Sequence, residues 1–293
     1  MAASLGRGVL VVLGMVDEAS VFAAARAFYE ARGVLVGAGA GMGVDSGLPD
    51  FRGTEGFWRA YPPYQRLGVR FEEMADPVHF QREPAFAWGF YGHRRNLYRA
   101  TVPHDGFQIL RRLSSGMEGG LFAFTSNVDG QFQRAGFSDA VIVECHGAIE
   151  YEQCSQGCGA GVWEAEPTSS FRVDEATMRA EGPLPRCRRC DEIARPNILM
   201  FGDWGWDSRR TVGQERRYAR WREALSPDQV VVIEIGAGTA IPTVRSVSER
   251  WQAAGATLVR INPREFTVAA GGISLRGGAL EVLRRIEARH DAL

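Results

Sequence analysis

The sequence predicts an α/β protein built on a mostly parallel sheet, with a smaller second domain inserted into it. Three observations carry this. Short β-branched or apolar strand candidates alternate with helical patterns, a glycine-rich turn follows the first clear strand, and two stretches break the alternation. Strands alternating with helices point to a parallel sheet covered on both faces.

Residues 8–16, Gly-Val-Leu-Val-Val-Leu-Gly-Met-Val, follow Arg7 and imitate the apolar part of a signal peptide. No clean small-residue cleavage site follows before the helical pattern of Val21–Ala31, so the segment reads as an upstream extension or a first strand. Strands are expected at Gly33–Val36, Leu121–Phe124, Val141–Glu144, Val230–Ile235 and Thr257–Ile261. Further helices are expected at Phe107–Leu113, Gly213–Leu225, Thr243–Ala254 and Ala279–Leu293.

Residues 54–103 hold no good strand but carry Trp, Phe, Tyr and Arg at helical spacing, and residues 150–193 are rich in Gly, Pro and Cys with little periodicity. Both read as insertions. The expected division is a discontinuous sheet domain of residues 17–53, 104–149 and 194–293, and a small domain of residues 54–103 and 150–193. A crevice between two such domains is a favoured ligand site.

The composition narrows the function classes. With 293 residues, 45% hydrophobic, 24% charged and a formal net charge of −1, the chain is an ordinary globular protein. So neutral a balance argues against a nucleic-acid partner, and the basic run Arg216–Arg222 reads as a solvated helix face. No apolar run reaches the roughly 18 residues that suggest a membrane span. Four of the five cysteines come in close pairs, which points to metal binding in a cytoplasmic setting rather than to a disulfide framework.

Gly37, Gly39, Gly41 and Gly43 follow the first strand, and a helix is expected to begin near Val44–Ser46. Such a turn can present backbone N–H groups to a pyrophosphate. The spacing does not satisfy G-x-G-x-x-G, because the sixth position falls on Met42 or Val44, and a tight structural turn fits these glycines equally well. Cys154 and Cys158 enclose three residues, and Cys187 and Cys190 enclose two. Two thiolate pairs separated by a longer loop suit a closed, structural tetrahedral zinc; the alternative is free buried thiols. Cys145 is left over and reads as a small buried hydrophobe.

The continuation of the glycine turn, Ser46-Gly47-Leu48-Pro49-Asp50-Phe51-Arg52-Gly53, resembles the signature of the sirtuins, the NAD-dependent protein deacylases. Thr125-Ser126-Asn127-Val128-Asp129-Gly130 is similar to the family's Thr-Gln-Asn-Ile-Asp-Gly, and Glu144-Cys145-His146-Gly147 to its Glu-Leu-His-Gly. Arg195–Asp203 resembles its Arg-Pro-x-Val-Val-x-Phe-Gly-Glu, while Ile235–Gly238 and Ile261-Asn262 fall where the family holds adenosine. These segments occur in family order from about residue 20 to residue 290.

The resemblance implies a Rossmann-like sheet domain and a small domain of a helical module and a zinc-ribbon-like module. It implies a protein-lysine deacylase that transfers the acyl group to ADP-ribose and releases nicotinamide. Its cofactors would be NAD and one structural zinc, and its partner an acylated-lysine protein or peptide. By the same resemblance, Gly39, Ala40, Gly41, Asp50, Phe51, Arg52, Ser126, Asn127, Asp129, Gly236, Gly238 and Asn262 meet the cofactor. Phe201 and Gly202 meet the substrate, His146 and Asn127 are catalytic, and Cys154, Cys158, Cys187 and Cys190 hold the metal.

A lone histidine is usually structural, and Asn or Asp after a strand often caps a helix; the surrounding motifs favour function here. Departures mark an atypical, bacterial-type member. Gly43 stands in place of Ser, Ser126 of Gln, Gln131-Phe132 of Leu-His, Ala237-Gly238 of Thr-Ser, and Asp203 of Glu, while Pro242 comes about one residue early. An ADP-ribosyltransferase or NAD glycohydrolase is the competing enzyme class, and a low-turnover NAD-binding sensor the non-enzymatic one.

Overall fold

Six parallel strands form the central sheet of the computed structural model, which describes residues 17–50 and 53–293. Helix α1 (Glu18–Glu30) leads into β1 (Gly33–Ala38). The aromatic stretch follows as α2 (Gly53–Ala60), α3 (Pro62–Leu67), α4 (Phe71–Met74), α5 (Val78–Arg82) and α6 (Pro84–Ala100). Next come α7 (Gly106–Leu113), β2 (Gly120–Thr125), α8 (Gln131–Arg134) and β3 (Ile142–Glu144). Strands β4 (Gly147–Cys154), β5 (Val162–Glu164), β6 (Arg172–Asp174), β7 (Arg179–Glu181) and β8 (Ala194–Ile198) make up the cysteine-bearing part. The chain then returns through α9 (Arg209–Glu223), β9 (Val230–Ile235), α10 (Thr243–Ala253), β10 (Thr257–Ile261), β11 (Ile273–Leu275) and α11 (Ala279–His290).

The strand order is β11-β10-β9-β1-β2-β3, every pair parallel. The period of two in a strand sends alternate side chains to opposite faces. Val34, Val36, Val231, Ile233 and Val259 join α1, α7 and α11 through Phe28, Phe107, Leu110 and Leu283. Leu35, Phe122, Phe124, Val232 and Leu258 join α10 and α9 through Val244, Val247, Trp251, Tyr218 and Trp221. The basic run on α9 therefore buries its aromatic members against the sheet, while Arg217 reaches the Asp139 and Ala140 carbonyls.

A second core lies beside the sheet. Phe57, Tyr61, Tyr64, Phe86, Trp88, Phe90 and Tyr91 pack there with Ile149, Met178 and Ile198. The helical and cysteine-bearing stretches share it: Trp88 stacks on Phe171 at 4.8 Å and donates its Nε1–H to the Ala194 carbonyl at 2.9 Å. A buried Arg95–Glu152 pair at 2.8 Å joins α6 to β4. The weak periodicity of residues 150–193 reflects short antiparallel pairings, β4 with β5 and β8, and β6 with β7.

Three element starts differ from expectation by three residues or more. The glycine turn runs into a 3-10 helix over Ala40–Ser46, stopped by left-handed Gly47, instead of an α-helix beginning at 44–46. Helix α9 starts four residues before its expected start at Gly213, because Arg210 and Thr211 bind Glu144. Helix α1 starts at Glu18 because the Asp17 carboxylate accepts the N–H groups of Ala19 and Ser20. Among the described residues no helix is long and apolar enough to cross a membrane. The apolar stretch 8–16 and the candidate residues Phe51 and Arg52 lie outside the described residues.

Candidate active site

The chain reverses its direction of travel across the sheet between β1 and β9, and open α/β sheets bind ligands beyond the strand ends at such a point. The loops leaving these two strands interlock. Gly39 N donates to the Ile235 carbonyl at 3.0 Å, and Gly41 N to the Gly236 carbonyl at 3.1 Å. A Cβ on Gly39 would lie 2.6 Å from Ala237 Cα, and one on Gly236 only 2.3 Å from Gly41 Cα. Gly236 is also left-handed, with φ +63°. These glycines have a structural reason to be glycine, as the tight-turn reading requires.

The same turn has the features an anion needs. The 3-10 helix beginning at Ala40 has no side-chain cap, and while Gly41 N and Met42 N bind the Gly236 and Gly39 carbonyls, the Ala40 N–H is left for another partner. Its far end is fixed: Asp45 accepts Leu280 N at 2.7 Å, and Ser46 Oγ accepts His104 N at 2.9 Å. His104 is structural, its Nε2 facing the Met42 carbonyl at 2.8 Å.

The end of β2 attaches to this turn. Thr125 Oγ1 and Ser126 N both donate to the Ala38 carbonyl, at 2.9 and 3.1 Å. Asn127 Nδ2 donates to the Gly39 carbonyl at 3.0 Å, which fixes the orientation of its amide. Asn262 is buried and its side chain binds backbone throughout, donating to Ala237 O and accepting from Arg264 N and Glu265 N, each at 3.0 Å. It shapes the loop containing Gly238, where a Cβ would meet nothing closer than Glu265 Oε2 at 3.8 Å.

Asp129 is buried and accepts Gln131 N at 3.0 Å, so it caps the start of α8. Burial pushes its carboxyl up to about 6, and the nearby Glu144 charge acts in the same direction. Asp50 pairs with Arg264 at 3.2 Å, linking the segment after the glycine turn to the loop after β10.

His146 occupies the bend where the chain leaves the parallel sheet for the antiparallel one. Cys145 N donates to Thr125 O on one side, and Leu199 N donates to His146 O on the other, both at 2.9 Å. Gly147 makes the bend possible: its φ is +76°, and a Cβ would lie 2.0 Å from the Asn197 carbonyl oxygen. Burial holds the imidazole below its ordinary range, and the Ser126 backbone acts in the opposite direction. A neutral imidazole carries one N–H donor and one acceptor nitrogen.

Two supports of this bend were not singled out from the sequence. Arg210 pairs with the buried Glu144, and Gln214 Nε2 donates to the same carboxylate at 3.2 Å. Both lie on α9, more than sixty residues further along, so no local spacing could mark them. Burial pushes the Cys145 thiol up to about 12, in keeping with an inert packed side chain.

The loop after β8 lies beside the histidine through the Leu199 bond. Phe201 is 42% exposed, its N–H held by the Ala75 carbonyl at 2.9 Å, and Gly202 is left-handed with open space around it. Asp203 anchors this loop through two 2.8 Å bonds with Arg195, in a pair that is fully buried.

The four paired cysteines converge. Cys154 and Cys190 sulfurs lie 3.6 Å apart, those of Cys158 and Cys187 3.5 Å, and all four within 4.8 Å. A tetrahedral zinc with bonds of about 2.3 Å needs sulfurs roughly 3.8 Å apart, so the donor set fits that metal.

Comparison with known proteins places this arrangement among relatives. The model of the Sir2 family matches residues 39–219. NAD-dependent protein deacylase 2 of Pyrobaculum aerophilum is 32% identical over 260 residues, 87% of this chain and 90% of that protein. The NAD-dependent protein deacylase of Aquifex aeolicus is 30% identical over 230 residues, 78% of this chain and 83% of that one. A Sir2 homologue solved with ADP-ribose superimposes with TM-score 0.70 at 26% identity, covering 92% of this chain and 95% of that one. A Sir2 homologue–NAD complex gives 0.69 at 25%, covering 92% and 93%.

Proposed function

The chain belongs to the Sir2 family, and from that premise we propose that it is an NAD-dependent protein-lysine deacylase acting in the cytoplasm on acylated proteins or peptides. The single observation that carries the reading is a partly buried His146, its imidazole shifted toward the neutral form, beside Ser126-Asn127, with Asn127 tied to the glycine turn and the exposed Phe201-Gly202 loop alongside. A pure binding module has no need of a neutral base poised between two ligand loops.

NAD, when bound, supplies a glycosidic bond whose cleavage frees nicotinamide and exposes an electrophilic ribose carbon. The chain's own residues divide the remaining work. Gly39, Ala40, Gly41, Gly236 and Gly238 shape a close-packed turn without side chains in the way, where phosphate would approach the Ala40 N–H. Asn262 braces the adenosine side, and Asn127 and Ser126 orient the ribose end. Asp129 would meet the carboxamide, and Asp50, paired with Arg264, would meet the cofactor. His146 would accept a ribose hydroxyl proton on its acceptor nitrogen. Phe201 and Gly202 align the substrate backbone. Residues 17–53, 104–149 and 194–293 form the cofactor domain, and 54–103 with 150–193 the small domain, held together by one zinc on Cys154, Cys158, Cys187 and Cys190.

The deciding experiment supplies labelled NAD with a panel of acyl peptides. Deacylated peptide and acyl-ADP-ribose should appear in step with nicotinamide. Label on protein, or free ADP-ribose whatever peptide is present, would establish the transferase or glycohydrolase reading instead.

A further inference from the structure

The zinc-site loops carry a feature that the four thiolates do not explain. Arg186, Arg188 and Arg189 flank or separate the second cysteine pair, and none of them has a carboxylate partner among the described residues. Each guanidinium instead binds a backbone carbonyl. Arg186 Nη1 donates to Asp191 O at 2.7 Å, Arg188 Nη2 to Glu164 O at 3.0 Å, and Arg189 Nη1 to Cys158 O at 2.9 Å.

The Arg189 contact differs from the other two because it joins the two halves of the metal site. Its own N–H faces Cys187 Sγ at 3.4 Å, while its guanidinium reaches Cys158 in the opposite pair. Cys158 closes the longer pair, and the extra residue is turned by left-handed Gly157, with left-handed Gly159 just beyond. A Cβ on Gly159 would lie 3.1 Å from Arg189 Nη1, so glycine leaves the guanidinium its place. Zinc with four thiolates carries a net charge of −2, and a guanidinium held against one ligand's backbone lowers the cost of gathering that charge.

We infer that Arg189 is a positioning residue of the four-cysteine site: it clamps the Cys158 loop across the site and offsets the charge of the thiolates. The inference rests on the zinc assignment above. Groups that orient metal ligands typically contribute 10- to 100-fold to metal affinity.

The test uses the full chain loaded with zinc and challenged with excess EDTA, zinc release being read with a coloured zinc indicator. R189A should lose zinc at least about tenfold faster than the unchanged chain. R189Q, which keeps donors but not the charge, should fall between, and R172A, on β6, whose side chain pairs with Glu181 on β7, should match the unchanged chain. Wild-type release from both R189A and R189Q would overturn the clamp; if R189A does not fold, R189Q alone decides. An unchanged chain that purifies folded without zinc would overturn the metal assignment itself, a different outcome.

Discussion

Gly39 and Gly236 are locked against each other's loops, each so close to the opposing backbone that a methyl group on either would overlap a main-chain Cα. The contact sits where β1 and β9 diverge, so it sets the distance between the two loops proposed to flank the cofactor phosphates.

Gly236→Ala therefore combines left-handed strain, worth about 1–3 kcal/mol, with a main-chain overlap. Gly116→Ala is the natural control, since Gly116 has φ +82° but open space around it. Denaturant melts should show a larger loss for Gly236→Ala, accompanied by weaker NAD binding in calorimetry. Equal losses in the two variants would mean that the interlock contributes nothing.

His146→Ala should slow acyl transfer by about 10²–10⁴-fold, the usual worth of a general base. Nicotinamide exchange should suffer less, because bond cleavage depends more on positioning by Asn127. Measuring both rates on one preparation checks the assignment. If acyl peptides never stimulate NAD consumption and the variant changes neither rate, the deacylase reading is wrong.

Asp129 gives a pH signature. Burial pushes its carboxyl up to about 6, so the ionised form proposed to meet the carboxamide is lost as pH falls through that value, and kcat/KM for NAD should fall with it. Burial also lowers the His146 imidazole, which keeps its acceptor form to lower pH than an ordinary histidine. The stability effect has the opposite sign. A raised carboxyl penalises the folded state above its folded pKa, and the penalty vanishes below the unfolded value of 3.8. Asp129→Asn should melt at a higher temperature than the unchanged chain at pH 8, bind NAD more weakly, and lose the fall near pH 6. A profile that keeps that fall in the variant assigns it to another group.

Metal removal should act on the small domain first. Stripping zinc leaves four clustered thiols without the ion that joins the two halves of the site, and closed structural sites contribute folding energy directly. Cys187→Ser, or exhaustive chelation, should abolish activity and change the fluorescence of Trp163, whose indole binds Glu152 beside the site. The parallel sheet should survive, as judged by circular dichroism. Full activity without metal would refute a structural zinc.

Glu234 and Arg260 form a buried pair between β9 and β10, with bonds of 2.6 and 3.1 Å. Among the described residues, Glu234→Ala leaves Arg260 with only the half-exposed Glu249 as a carboxylate partner. Breaking a buried pair from one side typically costs about 3–5 kcal/mol. Urea melts should register a loss of that order, while the KM for acyl peptide stays unchanged. A loss under about 1 kcal/mol would place this pair with surface ion pairs in energetic weight.

Five of the six parallel strands were legible in the sequence, because segments such as Val230–Ile235 carry enough β-branched residues to be read without help, whereas the three-residue β11 was not expected. The sequence by itself also marked the motif residues, since the glycine turn, Ser126–Asp129 and His146 are each contiguous with a strand end. The paired cysteines were legible as donors because their spacing is local. Tertiary structure decided everything that joins distant segments. The interlock of Gly39 with Ala237, the anchoring of Glu144 by Arg210, and the reach of Arg189 to Cys158 each connect positions about 30 to 200 residues apart. The same holds for the early start of α9 and for the 3-10 form of the turn after Gly39. Local propensity cannot anticipate a helix end fixed by a carboxylate on another strand, or a turn shaped by a loop that returns only after the chain has crossed the sheet.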